Sequence, residues 1–323
     1  MTTVVSPASS SSGVELSIVV PVYKEEASIR PFLQRTEAVM AKMGVSYEII
    51  FSLDPSPDKT EGVILEEINR NPNIKLLVFS RRFGQPAATM GGLKAFRGKY
   101  AVLIDVDLQD PPELIAEMYR IARNGADVVY AKRTSRQGET LLKRMIASFG
   151  YYLIGKLSDV EIPKDVGEFR MMSRRVVDEL ISLKETHGFI RGLVAYVGFR
   201  QEAIEFERDA RLFEEGKYNR FTGSIRIGLN GLVSFSSRPL QLMSLAGFVI
   251  SGLSFLLGLT FILLKLGGYP FVPGQAALVL FISFFSGVQL IALGMIGEYI
   301  GRIYDEVKQR PPFIVAKRIN FED

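Results

Sequence analysis

The chain has 323 residues, no Cys, no Trp and one His, with 39 Lys and Arg set against 35 Asp and Glu for a formal net charge of +4. The lack of Cys excludes disulfides and thiol chemistry, and one His with no Cys excludes a zinc centre of the usual His/Cys kind. So small a positive balance suits anionic lipid headgroups and phosphorylated substrates and does not require nucleic acid.

Residues 1–15 are Ser-rich and lack a basic start followed by an apolar stretch, so they read as a disordered tail rather than a signal peptide. From 16 to 222 the pattern is that of one soluble domain in which apolar runs and helical periods alternate. Strands are predicted at Leu16–Val22, Tyr47–Leu53, Ile74–Phe79, Ala101–Ile104 and Asp127–Ala131. Helices are predicted between them, near Glu26–Met43, Lys59–Asn69, Pro86–Phe96 and Pro112–Arg123. This β-α-β rhythm predicts an α/β fold with a doubly wound, mostly parallel sheet covered on both faces.

The polar residues follow the strands. Tyr23, Lys24 and Glu25 come after the first, Asp54 and Ser56 after the second, and Arg81 and Arg82 after the third. Asp105 and Asp107 come after the fourth, and Lys132 and Arg133 after the fifth. Open α/β sheets place ligands at the carboxyl ends of their strands, so this convergence suits a diphosphate. Within Asp105-Val106-Asp107-Leu108-Gln109-Asp110-Pro111-Pro112 the carboxylates at 105 and 107 repel unless a cation shares them. Hard oxygen ligands suit Mg²⁺ or Mn²⁺, and Mg²⁺ is held by one or two carboxylates plus substrate phosphates. No Gly-rich dinucleotide fingerprint or phosphate-binding P-loop is present, which disfavours a dehydrogenase or P-loop enzyme. His187, in Glu185-Thr186-His187-Gly188-Phe189, reads as a structural hydrogen-bonding residue.

Towards the C-terminus the composition changes. No charged residue lies between Arg238 and Lys265, and none between Lys265 and Glu298. Each run exceeds the ~20 apolar residues that span a bilayer. Two transmembrane helices are predicted near Leu240–Leu264 and Gln275–Ile296, within 239–298 and joined by a Gly/Pro-rich hairpin loop. Residues 223–238 precede them as a juxtamembrane amphipathic segment, with an interfacial helix or a core-packed one at Ser224–Phe235, and 299–323 follow as a tail. Basic residues flank both spans (Arg220, Arg226 and Arg238 before, Arg302, Lys308, Arg310, Lys317 and Arg318 after), while the loop region offers Lys265. The positive-inside rule then puts both flanks and the large domain in the cytoplasm of a multi-pass protein of the cell membrane. Small residues at Gly247, Ser251, Gly252 and Ser254, and at Ser283, Ser286, Gly287 and Gly294, allow close helix contact. They serve packing within the hairpin or a homo-oligomer, which is the expectation adopted, with a tetramer as one form.

Four blocks carry a family resemblance. Ser17-Ile18-Val19-Val20-Pro21-Val22-Tyr23-Lys24-Glu25 resembles the opening of family 2 glycosyltransferases with the GT-A fold. With Asp105–Pro112, Asp165-Val166-Gly167-Glu168-Phe169-Arg170 and Gly297-Glu298-Tyr299-Ile300-Gly301-Arg302-Ile303-Tyr304, the chain resembles polyprenyl-phosphate glycosyltransferases of the GtrB type, related to dolichol-phosphate mannose synthases. The resemblance implies that Pro21, Tyr23 and Glu25 grip the nucleotide and that Asp54 touches the nucleoside. Leu53 and Pro55 depart from the family's Asp-Asp-Gly-Ser element there. It further implies that Asp105 and Asp107 hold Mg²⁺ or Mn²⁺, with Gln109 as a further ligand. Arg133, Arg144 and Ser148 would hold the acceptor phosphate, and Lys217, in Gly216-Lys217-Tyr218, would reach the donor diphosphate. Asp165 and Glu168 are candidates for catalysis or structural partners of Arg170 or Arg174; Glu168 replaces the family's second Asp.

The implied activity is inverting transfer of one sugar, glucose from UDP-glucose by family expectation, to a polyprenyl phosphate such as undecaprenyl phosphate at the cytoplasmic membrane face. The partners are then the nucleotide sugar, the lipid phosphate and the bilayer, with no nucleic acid. Two other functions stay open. A processive polysaccharide synthase is disfavoured by two short-looped spans and by the absence of a Gln-x-x-Arg-Trp element. A noncatalytic membrane scaffold is disfavoured by the presence of Asp105, Asp107, Arg133, Arg144 and Lys217 together.

Overall fold

The computed structural model describes residues 13–134, 166–183, 190–206, 238–268 and 274–321. Arg144, Ser148, Asp165, His187, Lys217 and the segment 224–235 lie outside the described residues.

Eight strands form one sheet: β1 (Leu16–Val22), β2 (Tyr47–Leu53), β3 (Ile74–Phe79), β4 (Tyr100–Leu103), β5 (Val128–Arg133), β6 (Val166–Ser173), β7 (Gln201–Phe206) and β8 (Val315–Ile319). Their spatial order is β7-β5-β6-β4-β1-β2-β3-β8. β1 pairs in parallel with β2 and β4, β2 with β3, and β5 with β7. β6 runs antiparallel between β4 and β5, and β8 antiparallel along β3. The sheet is thus mixed and mostly parallel, as expected. The first strands are mostly apolar because both faces are covered, and Ser17 and Lys75 pair with Glu48 among them.

On one face lie α1 (Ile29–Met43), α2 (Thr60–Arg70) and α4 (Leu114–Arg123), whose Phe32, Ile64 and Met118 join Ile18, Phe51 and Leu76 in a continuous core. On the other lie α3 (Gln85–Ala95), α5 (Arg174–Ser182) and α6 (Ile190–Val197), with Leu93, Val177 and Leu193 over Val19, Ile50 and Leu103. α3 sits very close to the sheet through two glycines. A Cβ at Gly92 would stand 2.3 Å from Val19 Cγ1, and one at Gly91 2.6 Å from the Phe79 ring.

The chain leaves β1 for β2 and β3 on one side, then returns to place β4 on the other side of β1. The strand order therefore reverses between β1 and β4, and ligands of such sheets bind outside the carboxyl ends at that point. Tyr23 and Glu25 follow β1, and Asp105 and Asp107 follow β4, so both pairs belong to this crevice.

Several expectations shift. β5 extends to Arg133, which becomes its last residue rather than a loop residue. Glu15, read as part of the tail, is anchored: it accepts a hydrogen bond from Tyr119 Oη at 2.9 Å and pairs with Lys99 at 2.9 Å. α7 (Arg238–Leu266) and α8 (Gln275–Lys308) cover the expected spans, and each holds a stretch long and apolar enough to cross a membrane, none of it buried. α8 continues twelve residues beyond Ile296, and the segment read as a tail then adds β8 to the sheet.

Candidate active site

Exposure alternates along the loop after β4. Asp105, Asp107 and Gln109 are half-buried, while Val106, Leu108 and Asp110 are buried. The three candidate ligand positions therefore share one side. Leu108, at φ +58 and 1% exposed, takes the left-handed conformation that non-glycine residues seldom adopt. Its burial holds the turn, and the Gln109 N–H donates to Asp107 Oδ1 at 3.2 Å. Lys24, after β1, is left-handed as well, at φ +57. Backbone strain of this kind persists where surrounding structure over-determines it. For Lys24 the fastenings are visible: its N–H donates to Ser56 Oγ, the Glu25 N–H donates to Thr60 Oγ1 (each 3.0 Å), and Ser28 Oγ donates to Glu25 Oε2 at 2.9 Å.

Three strand ends meet at residues 81–85. The Arg82 guanidinium lies 4.0 Å from the centre of the Tyr23 ring. Asp54, 3% exposed, accepts from the Phe83 N–H at 3.0 Å on one oxygen and the Gly84 N–H at 2.8 Å on the other. The resemblance assigned Asp54 to the nucleoside; in the structure its carboxylate also holds the turn that opens α3. Gly84, at φ +93, supplies the backbone freedom this turn needs. Gln85 Nε2 then donates to Asp105 Oδ1 at 2.9 Å. Neither Gln85 nor the Arg82–Tyr23 pair follows from sequence patterns, because each bridges strands far apart in the chain. The glycine before Pro86 is the one local signal, since it marks a helix start.

β6 runs beside β4, with Arg170 paired to Leu103, and carries Glu168 two residues earlier. Glu168 pairs with Arg191 at 2.6 Å and with Arg170 at 3.6 Å. Arg170, 3% exposed, donates to the carbonyls of Gly167 at 2.8 Å and Glu168 at 3.2 Å. Burial pulls its guanidinium below the ordinary value; Glu168 opposes the shift and Arg191 adds to it. It stays charged, since guanidinium is not deprotonated in proteins. The partnership of Glu168 with Arg170 follows the structural alternative, while Arg191 was not anticipated from sequence.

A divalent cation fits this donor set. Among the described residues no three His, Cys, Asp or Glu side chains form a metal cluster, so the protein offers the Asp105 and Asp107 carboxylates, with Gln109 beside them. Two carboxylates completed by substrate phosphates are the usual setting of Mg²⁺, and Mn²⁺ shares its oxygen preference.

Residues 17–181 match the family described as glycosyl transferase family 2. An uncharacterised glycosyltransferase of Bacillus subtilis, YkcC, is 44% identical over 96% of each chain. The bactoprenol glucosyl transferase of Shigella phage SfII is 38% identical, covering 94% of this chain and 98% of that one. Among solved structures, glucosyl-3-phosphoglycerate synthase of Mycobacterium tuberculosis with Mn²⁺, UDP-glucose and phosphoglyceric acid aligns at TM-score 0.47 and 20% identity, over 69% of this chain and 79% of that one. The family match spans β1 through most of α5, including the crevice between β1 and β4, and the chain belongs to glycosyl transferase family 2.

Proposed function

We propose that this glycosyltransferase moves one glucose from UDP-glucose to a polyprenyl phosphate at the cytoplasmic face of the cell membrane, inverting the anomeric centre. The observation that carries the reading is the pair Asp105 and Asp107 at the β1/β4 switch point, in a chain that also holds two apolar helices and is similar over nearly its full length to bactoprenol glucosyl transferases.

In the reaction, an oxygen of the lipid phosphate attacks the sugar's anomeric carbon. The bond from that carbon to the nucleotide diphosphate breaks, and the diphosphate leaves with the bonding pair. Phosphomonoesters have a second pKa of about 6, so the attacking phosphate is largely ionised at neutral pH and needs no strong base. Catalysis then rests on positioning and charge stabilisation. A divalent cation held by Asp105 and Asp107 would supply positive charge to the diphosphate oxygens. Tyr23, under Arg82, and Glu25 line the nucleotide side. Arg133 and Arg144 carry guanidinium forks of the kind that suit an acceptor phosphate, and in this reading Ser148 contributes to the same acceptor phosphate and Lys217 to the donor diphosphate.

The apolar helices α7 and α8 form a membrane hairpin in this reading, with both basic flanks in the cytoplasm. Radiolabelled sugar transfer to a short polyprenyl phosphate tests it, using a panel of nucleotide sugars. One glucose per lipid is expected. A long polymer would establish a processive synthase instead, and no transfer with any donor would leave a scaffold.

A further inference from the structure

The loop Ser80–Gln85 touches the donor-side groups of three strands: Arg82 lies over Tyr23, Phe83 and Gly84 hold Asp54, and Gln85 holds Asp105. Its opposite side is held by residues that follow the last apolar helix. The Ser80 N–H donates to the Ile314 carbonyl at 2.9 Å. The Phe313 ring meets Phe79 edge-on with centres 5.4 Å apart, and Phe79 meets Phe83 at 6.3 Å. The Arg81 guanidinium caps this column 4.0 Å from the Phe83 ring, and Lys94 Nζ lies 5.3 Å from Phe313. Gly91 leaves the room: a Cβ there would stand 2.6 Å from the Phe79 ring and 3.5 Å from Phe313.

The connection back to α8 is short and stiff. Gln309 ends the helix in a left-handed cap at φ 49, and Arg310-Pro311-Pro312 follows. Each proline ring fixes φ near −65°. Beyond Phe313, β8 is tied down by its pairing with β3, by Lys317–Glu61 at 2.9 Å, and by Asn320 Nδ2 donating to the Pro72 and Ile74 carbonyls at 2.8 and 2.7 Å.

We propose that Phe313 is a positioning residue for the sugar-nucleotide site, setting the Ser80–Gln85 loop and so linking the end of the membrane hairpin to donor affinity. Close-packed interiors transmit such displacements because side chains interdigitate with few voids. The inference rests on the donor lying against Tyr23, Asp105 and Asp107.

The test is UDP-glucose binding with Mn²⁺, measured by calorimetry on the full chain in mild detergent, with Michaelis constants for donor and lipid phosphate. Phe313→Ala should weaken donor binding about tenfold, within the range seen for residues that couple to a site without touching ligand. Phe313→Leu keeps apolar volume but loses the ring edge, and should fall between wild type and Phe313→Ala. The acceptor Michaelis constant should stay within about twofold of wild type in both. Lys317→Ala, which loses a surface ion pair of the same strand, should bind donor as wild type does. Asp107→Asn separates the two ideas. If it loses donor binding while Phe313→Ala keeps it, the inference fails and the donor reading stands. If Asp107→Asn binds donor normally, the donor reading fails and takes the inference with it. An equal rise in both Michaelis constants, or wild-type affinity in Phe313→Leu should Phe313→Ala not fold, also overturns the role of Phe313.

Discussion

Asp107 stands half-exposed between the buried Val106 and Leu108, so a change at its carboxylate alters the crevice without opening the core. Asp107→Asn is expected to abolish transfer in excess Mn²⁺ while leaving the thermal midpoint unchanged, and chelator should silence the wild type. Full wild-type activity in chelator would remove the metal from the mechanism. Asp54 works differently. Its removal leaves the half-buried Phe83 and Gly84 N–H groups without their acceptor, and a donor left unpaired costs about 1–3 kcal/mol when buried. Asp54→Ala should lose about 2 kcal/mol of stability and raise the Michaelis constant for the sugar nucleotide, with the lipid phosphate unaffected; unfolding curves and steady-state kinetics check both. Arg133→Ala and Arg144→Ala should do the reverse, raising the constant for lipid phosphate by the equivalent of about 1.5–3 kcal/mol, the worth of a charge-assisted contact. Equal effects on both substrates would refute that division. What the sequence shows at this scale is what one strand and its loop carry: the spacing of Asp105 and Asp107 after an apolar run. What it hides are contacts such as Gln85 with Asp105, or Arg191 with Glu168, whose partners meet only once the sheet has assembled.

The first five strands are legible because strands buried on both faces read as apolar runs. β6 is not, since Gly167, Glu168 and Arg170 interrupt its apolar residues, and carbonyls and Glu168 compensate the buried guanidinium only in the fold. β8, Val-Ala-Lys-Arg-Ile, is a short charged edge strand, a composition that protects edges from further pairing and resembles a tail. β5 carries an acid-sensitive fastening at its start. Asp127 is buried, which by itself raises its carboxyl. The Arg175 guanidinium on both oxygens, Ser173 Oγ at 3.1 Å and the Arg200 N–H outweigh that and hold it below its ordinary 3.8. A depressed carboxyl stabilises the fold above the unfolded value and loses that contribution as pH falls through the folded one. Asp127→Asn should therefore cost about 1.5–3 kcal/mol at neutral pH, a deficit that shrinks as the pH is taken below 3.8. Melting curves of both proteins across that range check it. A constant gap would show that packing, not charge, makes the difference.

At the scale of the whole molecule, the two apolar helices leave much surface uncovered. By length α7 extends about 43 Å and α8 about 51 Å, against a hydrocarbon layer of about 30 Å. Set across such a layer, α8 would reach beyond it by several turns, and its C-terminal end is not polar all round. Ile296, Ile300, Ile303 and Val307 are 44%, 60%, 60% and 74% exposed, and their spacing of four, three and four is that of a coiled-coil seam. The glycines add a second observation. Among the described residues, a Cβ built at Gly247, Gly252, Gly287 or Gly294 would meet no atom within 4 Å. Small residues on helices promote close helix contact in membranes, which would suit a second copy of this chain. We therefore expect a homo-oligomer joined along α8, from the membrane out to Val307. The absence of native Cys allows a clean measurement. Gly294→Cys and Ile303→Cys should each form disulfide-linked dimers in native membranes, whereas Lys59→Cys, on the far domain, should not. Native mass measurement in mild detergent should give a multiple of the chain mass. Monomers at every concentration in lipid and detergent, with no cross-link at Gly294 or Ile303, would leave the seam to lipid alone.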